Sequence, residues 1–148
     1  MIGKPLFPLL LLAAFVSPAS GQELRDKTFA FVYADQPGRI FVARSGNAYY
    51  TYVSVGSGVE FKANKTFRAS MNGCAYQTFA AHAGNSLTLD WTNDCPALGV
   101  RAKARVVLSS DGATCSVRMS IWTSSPGDPG SSSGGTSDSC SILAGNRL

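Results

Sequence analysis

The chain has 148 residues, with 13 Lys and Arg, nine Asp and Glu and one His, and its formal net charge is +4 at pH 7. This length suits a single domain. The excess of positive charge is too small and too scattered for a nucleic-acid-binding protein, and one His leaves little material for a His-based metal or catalytic site.

Residues 1–21 have the pattern of a signal peptide. Lys4 supplies the positive n-region, residues 6–16 form the apolar core, and residues 17–21 are rich in the small residues of a cleavage region. The apolar run of about 11 residues is too short to cross roughly 30 Å of hydrocarbon. We therefore expect cleavage near residues 19–22 and a secreted or periplasmic mature chain, residues 22–148, with no membrane span and a net charge of +3.

From Thr28 onward, aromatic and β-branched runs alternate with short turn sequences. Gln36-Pro-Gly38 predicts the first turn, and Asn72-Gly73 predicts a tight hairpin. No window has the period of an amphipathic helix. Because the connections between successive strands are short, the chain is predicted to be all-β, an antiparallel meander closed as a small β-barrel or folded as a β-sandwich.

Residues 100–123 give the clearest hairpin pattern. Asp111-Gly112 is typical of a two-residue type I′ turn, and pairing the flanks about it places Arg101 opposite Trp122 and Arg105 opposite Arg118. A slip of one residue would bury the charges, so the alternation fixes which face is apolar. The pattern thus predicts a basic outward face, formed by Arg101, Lys103, Arg105, Arg118 and Trp122.

Four cysteines remain after the signal peptide, and in an exported chain an even number predicts two disulfides with three possible connectivities. Reflecting the chain about Gly84 brings Cys74 within one residue of Cys95. This favours a Cys74–Cys95 bond across the mouth of that hairpin, which leaves Cys115–Cys140. The alternative of a metal site is disfavoured by the long spacings and the single His.

Residues 124–139 consist almost entirely of Ser, Gly, Pro, Thr and Asp. A segment of this composition buries little surface, so it is predicted to be a flexible loop. Because Cys140 follows it directly, the predicted disulfide to Cys115 would return the chain to the body of the domain.

Few residues form a pattern that supports catalysis. His82 stands beside a predicted turn among alanines, where an ordinary strand-end histidine is the simplest interpretation. Asp90 and Asp94 flank Trp91, but two carboxylates on the same strand are more typical of a solvated face than of a glycosidase pair. We therefore predict no catalytic residues, no metal and no cofactor.

The basic face is the best candidate for a functional site. Arg101 next to Trp122 would make a cation–π contact, and a tolerated Arg105–Arg118 repulsion would indicate an anionic partner. The alternative is that alternating charges only keep an exposed sheet soluble and prevent edge pairing.

The second half of the chain resembles small exported β-proteins of unknown function from rhizobia-like alphaproteobacteria. The resemblance begins near Thr66 and lies mostly in turn sequences. It is carried by Gly-Asn-Ser-Leu-Thr-Leu-Asp-Trp (84–91), Ser-Ser-Asp-Gly-Ala-Thr-Cys (109–115) and Cys-Ser-Ile-Leu-Ala-Gly-Asn (140–146). It implies export from a bacterial cell and implies no activity.

The sequence as a whole favours a secreted or periplasmic, non-catalytic β-domain that binds a partner through its basic sheet face. The expected partner is an anionic glycan, an envelope surface or another exported protein, and not nucleic acid. An inhibitor of an exported hydrolase, acting through residues 124–139, is the alternative. An enzyme ranks third.

Overall fold

The computed structural model describes Gly3, residues 22–52 and residues 55–148; apart from Gly3, the predicted signal peptide, residues 1–21, lies outside the described residues. Two short 3-10 helices span Gln22–Leu24 and Pro96–Leu98. The strands are β1 (Lys27–Tyr33), β2 (Gln36–Val42), β3 (Ala48–Tyr52), β4 (Val55–Phe61), β5 (Phe67–Met71), β6 (Cys74–Ala83), β7 (Ser86–Cys95), β8 (Val100–Ser110), β9 (Cys115–Ser125), β10 (Asp128–Thr136) and β11 (Ser139–Ala144).

These strands form two antiparallel sheets. The five-stranded sheet has the order β11-β1-β2-β3-β4, and the six-stranded sheet has the order β10-β9-β8-β7-β6-β5. Within each sheet, strands that follow one another along the chain are neighbours, and β11 returns to pair with β1. The predicted all-β, antiparallel fold is confirmed.

Both sheets contribute to one buried cluster. Phe29 and Tyr50 from the five-stranded sheet, and Leu89 and Val106 from the six-stranded sheet, are almost completely buried. Tyr50 also packs against Trp91, with ring centroids 5.3 Å apart, so aromatic rings connect the two sheets. Burial, aided by the neighbouring tyrosine at position 52, raises the pKa of the Tyr50 phenol, because the charged form has lost its hydration.

Hydrogen bonds also connect the sheets where β10 leads into β11. The Ser137 amide donates to a β9 carbonyl at 2.7 Å, and the Asp138 amide donates to a β1 carbonyl at 2.8 Å. The Cys115–Cys140 disulfide joins β9 to β11 next to these bonds. We call this region the β9–β11 seam.

A second connection, the β4–β6 seam, lies on the opposite side. The Asn64 amide donates to the Ala80 carbonyl at 2.7 Å, and the Ala80 amide donates to the Lys62 carbonyl at 3.3 Å. The buried Thr78 hydroxyl donates to the Glu60 carbonyl at 3.0 Å. Polar groups at this seam are therefore paired across the two sheets.

Both predicted disulfides are confirmed. The register of β6 and β7 places Cys74 directly opposite Cys95, with 4.2 Å between their Cα atoms, and Cys115 and Cys140 have Cα atoms 5.5 Å apart. Two disulfides in a chain of this size are typical of a protein that folds in an oxidising compartment. Among the described residues, the structure has no helix of the length and apolarity needed to span a membrane.

The predicted two-residue turn at Asp111-Gly112 is wrong. Four residues, 111–114, form the connection, and the Asp111 carboxylate accepts hydrogen bonds from the Ala113 and Thr114 amides at 2.9 and 2.7 Å. These side-chain bonds stabilise a longer turn, in which Gly112 has a positive φ and Asp111 does not. Cross-strand partners are therefore shifted by two residues, and each side chain keeps its predicted face.

The first turn also differs from the prediction. The chain turns at Ala34-Asp35, where both residues have positive φ, and Gln36-Pro-Gly38 begins strand β2. Gly38 lies opposite Phe31, whose ring occupies the space that a side chain at position 38 would need. Glycine is thus required here for close packing and not for a turn. The Asn72-Gly73 turn is confirmed, with positive φ at both residues.

The predicted flexible loop at residues 124–139 is wrong. Strand β9 extends to Ser125, residues 126–127 form a turn, and residues 128–136 form β10, which pairs with β9. Ser, Gly and Thr side chains bury little surface, but the backbone of this segment gains ladder hydrogen bonds from β9. Composition alone missed this strand because small polar residues are compatible with an exposed edge.

Candidate functional site

All five residues of the predicted basic face lie on the outward side of the six-stranded sheet. Successive side chains of a strand alternate between the two faces, so the odd-numbered residues of β8 and the even-numbered residues of β9 point away from the core. We call this side the outer face. It includes Arg68, Gln77, Phe79, Asp90, Thr92, Asp94, Arg101, Lys103, Arg105, Arg118, Ser120, Trp122, Ser132 and Gly134.

Two rows of side chains cross this face from strand to strand. The tryptophan row contains Arg68, Gln77, Thr92, Lys103, Trp122 and Ser132. The arginine row contains Phe79, Asp90, Arg105, Ser120 and Gly134. An open groove of about 790 Å³ is lined by both rows on β7, β8, β9 and β10. Because Ser120 and Gly134 are small, the arginine row leaves space beside the tryptophan row.

Arg105 forms a bidentate ion pair with Asp90 on the neighbouring strand. Its Nε and Nη2 donate to the two carboxylate oxygens at 2.7 and 3.1 Å. This hydrogen bonding to the carboxylate raises the pKa of Arg105 above its usual value. Both side chains remain partly exposed, so the pair contributes little to stability, at most about 1 kcal/mol. Its main effect is to fix the direction of the guanidinium.

A second ion pair, Arg101–Asp94, has an Nε–Oδ1 distance of 3.5 Å and is also exposed. The outer face is therefore less uniformly basic than the sequence predicts. It combines five cationic side chains with two carboxylates, and both carboxylates lie on β7 beside arginines of β8. The excess of positive charge remains, and Lys103 lies between the two ion pairs along β8.

The cation that contacts Trp122 is Lys103 and not Arg101 as predicted. Lys103 lies directly opposite Trp122, and its Nζ is 5.7 Å from the ring centroid. On the β10 side the indole contacts Gly130, where a Cβ atom would lie only 2.6 Å from Nε1. The change of partner follows from the two-residue shift in the β8–β9 register.

The predicted repulsion between Arg105 and Arg118 is also wrong. Arg105 lies opposite Ser120, and Arg118 lies opposite Val107 on one side and Thr136 on the other. No like-charge pair stands directly across this ladder, so tolerated repulsion does not indicate an anionic partner. The features of the outer face that favour an anion are its excess of positive charge and Trp122.

The other residues that the sequence suggested as candidates, one histidine and two aspartates, make polar contacts with neighbouring protein groups. His82 Nε2 lies 2.7 Å from the Gly46 carbonyl oxygen, and Asp90 and Asp94 form the ion pairs of the outer face. Within residues 22–52 and 55–148, no three His, Cys, Asp or Glu side chains are grouped as metal ligands would be.

Sequence reasoning missed several members of the site. The place of Gln77 beside Thr92 depends on the β6–β7 register. Ser132, Gly134 and the supporting Gly130 belong to β10, the strand that composition did not reveal. The serine and glycine pattern of β10 gave no signal from which these positions could have been found.

No protein-family model matches this chain, and neither the curated proteins nor the solved structures include a match.

Proposed function

We propose that the protein is exported and acts as a non-catalytic binding module, with the outer face as its binding surface for an anionic component outside the cytoplasm. The observation that carries this proposal is the combination of excess positive charge with Trp122, whose nearest neighbours on the sheet face, Ser120, Ser124, Lys103 and Ser132, are all polar. A large indole among serine, threonine and charged side chains offers apolar contact area and a hydrogen-bond donor in the same place.

The setting of the protein supports the same proposal. The first 21 residues have the features of a signal peptide, and both disulfides form between well-placed cysteines. We include export from a bacterial cell in the proposal, because the resemblance to small exported β-proteins implies it. The inhibitor alternative depended on a mobile loop at residues 124–139, and those residues contain strand β10. The sheet face is therefore the surface that we propose for binding.

For the architecture, we propose an incompletely closed barrel that is joined at the β4–β6 and β9–β11 seams. The seam hydrogen bonds of Asn64, Ser137 and Asp138 support this arrangement. If the sheets are joined in this way, the amides of these three residues should exchange slowly with solvent, although they lie outside the named strands. A sandwich with separate edges would leave them exchanging as fast as turn amides.

The binding proposal is tested by titrating the ¹⁵N-labelled, disulfide-bonded protein with dextran sulfate. Amide shifts should be confined to the six-stranded sheet, β5 to β10, and should weaken as salt is added, because exposed charges are screened. Neutral dextran is the matched polymer control. Reversing charge with Lys103→Glu should weaken binding, whereas Lys65→Glu, an exposed lysine outside the outer face, should retain this pattern of shifts.

Shifts that appear elsewhere on the molecule would contradict the proposal. Equal loss of binding in Lys103→Glu and Lys65→Glu would also contradict it, because that result would indicate a response to net charge and not to a site.

A further inference from the structure

We infer that the ligand of the outer face is an acidic polysaccharide built from uronic-acid rings, with a sugar ring stacked on Trp122 and its carboxylate bound by Lys103. This inference rests on the proposed function and names its ligand class. It is carried by the placement of an aromatic ring, an amine and a row of neutral polar groups along a single line across the sheet.

Trp122 is the first component of the site. Its strand neighbours on the outer face are Ser120 and Ser124, and its cross-strand neighbours are Lys103 and Ser132, so its ring has no apolar partner in the tryptophan row. Gly130 supports the indole from β10 and leaves the side chain half-buried. A supported aromatic ring with free apolar surface is suited to the C–H face of a pyranose, which is apolar while its edge carries hydroxyl groups.

Lys103 is the second component. Its ammonium lies close to the indole and is exposed, and it has no carboxylate opposite it in the ladder, where Thr92 and Trp122 are its partners. A ring that stacks on Trp122 would therefore place a substituent at its edge within reach of Nζ. Among the hydroxyl, acetamido and carboxylate groups of unmodified sugars, the carboxylate is the one that carries a charge opposite to that of the ammonium group.

Arg105 is the third component. Asp90 occupies its Nε and one terminal nitrogen, and a guanidinium has five N–H donors. The remaining donors are directed by the ion pair and can bind a second carboxylate or a ring hydroxyl without further loss of side-chain freedom. Ser120 and Gly134 in the same row leave the groove open above them.

The length of the site indicates a polymer and not a single sugar. The tryptophan row crosses six strands, and at about 4.8 Å between neighbouring strands it extends for roughly 24 Å. Gln77, Thr92 and Ser132 place amide and hydroxyl groups along it, which suits the repeated hydroxyl groups of a polysaccharide. The groove is open and not enclosed, so a chain can pass through without its ends being bound.

Polygalacturonate and its fully methyl-esterified form are the probes that test this inference. Both polymers are built from the same sugar ring, but only polygalacturonate carries ionised carboxylates. Binding of polygalacturonate should be measurable by calorimetry and should change the fluorescence of Trp122, whereas the ester should bind at least about tenfold more weakly. Poly-glutamate supplies carboxylates without rings, and it should not change the tryptophan fluorescence.

Variants separate the two recognition elements. Trp122→Ala should lower the affinity for polygalacturonate at least about tenfold, and Trp122→Phe should keep most of it, because a phenyl ring retains the stacking surface. Lys103→Gln should reduce the preference for the acid over the ester, because the carboxylate beside Trp122 loses its ammonium partner, and should keep weak binding to both. Lys65→Gln, an exposed lysine outside the outer face, is the matched control and should bind like the wild type.

The comparison of polymers remains decisive even where Trp122→Ala fails to fold. Equal affinity of the wild type for the acid and the ester would overturn the inference, as would poly-glutamate binding that matches polygalacturonate. If dextran sulfate binds to the outer face but polygalacturonate does not, the proposed binding function survives and the uronic-acid assignment fails. If neither polymer binds, both fail.

Discussion

Gly38 lies directly opposite Phe31 on the neighbouring strand, and the Phe31 ring fills the space that a side chain at position 38 would need. A Cβ atom at position 38 would overlap three ring carbons, the farthest of them at 2.9 Å. Phe31 is almost completely buried, so its ring cannot move away without disturbing the core. We predict that Gly38→Ala lowers the free energy of unfolding by about 1–3 kcal/mol, measured by urea denaturation.

Gly135→Ala provides the matched control for this substitution. Gly135 is also a strand glycine near an aromatic ring, but a Cβ there would lie 3.5 Å from Tyr33, an ordinary contact. The free energy of unfolding of the Gly135→Ala variant should stay within about 0.5 kcal/mol of that of the wild type. Equal effects of the two substitutions would show that steric overlap with Phe31 is not what requires glycine at position 38.

Asp111 predicts a change of stability with pH. Hydrogen bonds from the Thr114 and Ala113 amides lower the pKa of its carboxyl group in the folded protein. The stability contributed by the ionised Asp111 carboxylate is therefore fully present above the pKa of an unfolded aspartate, about 4. It is lost as the pH falls through the lower pKa of the folded protein. Asp111→Asn keeps an accepting oxygen but does not titrate, so the stability advantage of the wild type should shrink at acidic pH.

This prediction is checked by urea unfolding of both proteins at about pH 6 and about pH 2.5. Asp35→Asn, in the β1–β2 turn, controls for the loss of one exposed negative charge. A wild-type advantage over Asp111→Asn that stays constant between the two pH values would contradict the assignment.

At the scale of the element, strand β10 is mostly exposed and depends on its backbone ladder with β9. We predict that alternate amides of residues 131–136 exchange with solvent at least about tenfold more slowly than the Gly127 amide, which lies in the turn between β9 and β10. Uniformly fast exchange across residues 128–136 would contradict the strand. The measurement is amide hydrogen exchange followed by NMR.

The elements that the sequence predicted well are the strands in which charged and apolar residues alternate regularly. In β8 the charged and apolar residues alternate over seven positions, so the inward and outward faces followed directly from the pattern. The exact partners did not follow, because the length of the 111–114 turn depends on side-chain hydrogen bonds from Asp111 that compete with a two-residue turn. The Lys103–Trp122 contact could therefore not be predicted.

Strand β10 could not be predicted for a different reason. Its composition is equally compatible with a loop. The strand is stabilised by backbone pairing with the edge of β9, and the composition of β10 does not reveal this pairing. Conversely, Cys74–Cys95 was predictable because both cysteines belong to one hairpin whose register needs few assumptions.

At the scale of the whole molecule, the two disulfides close chain segments of 21 and 25 residues, which the chain-entropy model values almost equally at roughly 3.5 kcal/mol each. Their positions differ, because Cys74–Cys95 joins neighbouring strands of one sheet and Cys115–Cys140 joins the two sheets. We predict that Cys115→Ala with Cys140→Ala speeds amide exchange throughout β11 and at Asp138, as measured by hydrogen exchange.

The paired replacement of Cys74 and Cys95 by alanine is the control. It should lower the melting temperature by a similar amount but speed exchange only at the adjoining ends of β6 and β7. If β11 responds equally to both double replacements, the Cys115–Cys140 bond has no special role in holding the sheets together.

The two-residue difference between the predicted and the observed β8–β9 turn has a consequence for how this protein can vary. Removing or adding two residues at positions 111–114 changes which outward side chains are partners and leaves every inward side chain facing the core. Removing or adding one residue inverts both faces. Relatives of this chain can therefore acquire new binding preferences through hairpin length alone, in even steps, while the same side chains continue to face the core.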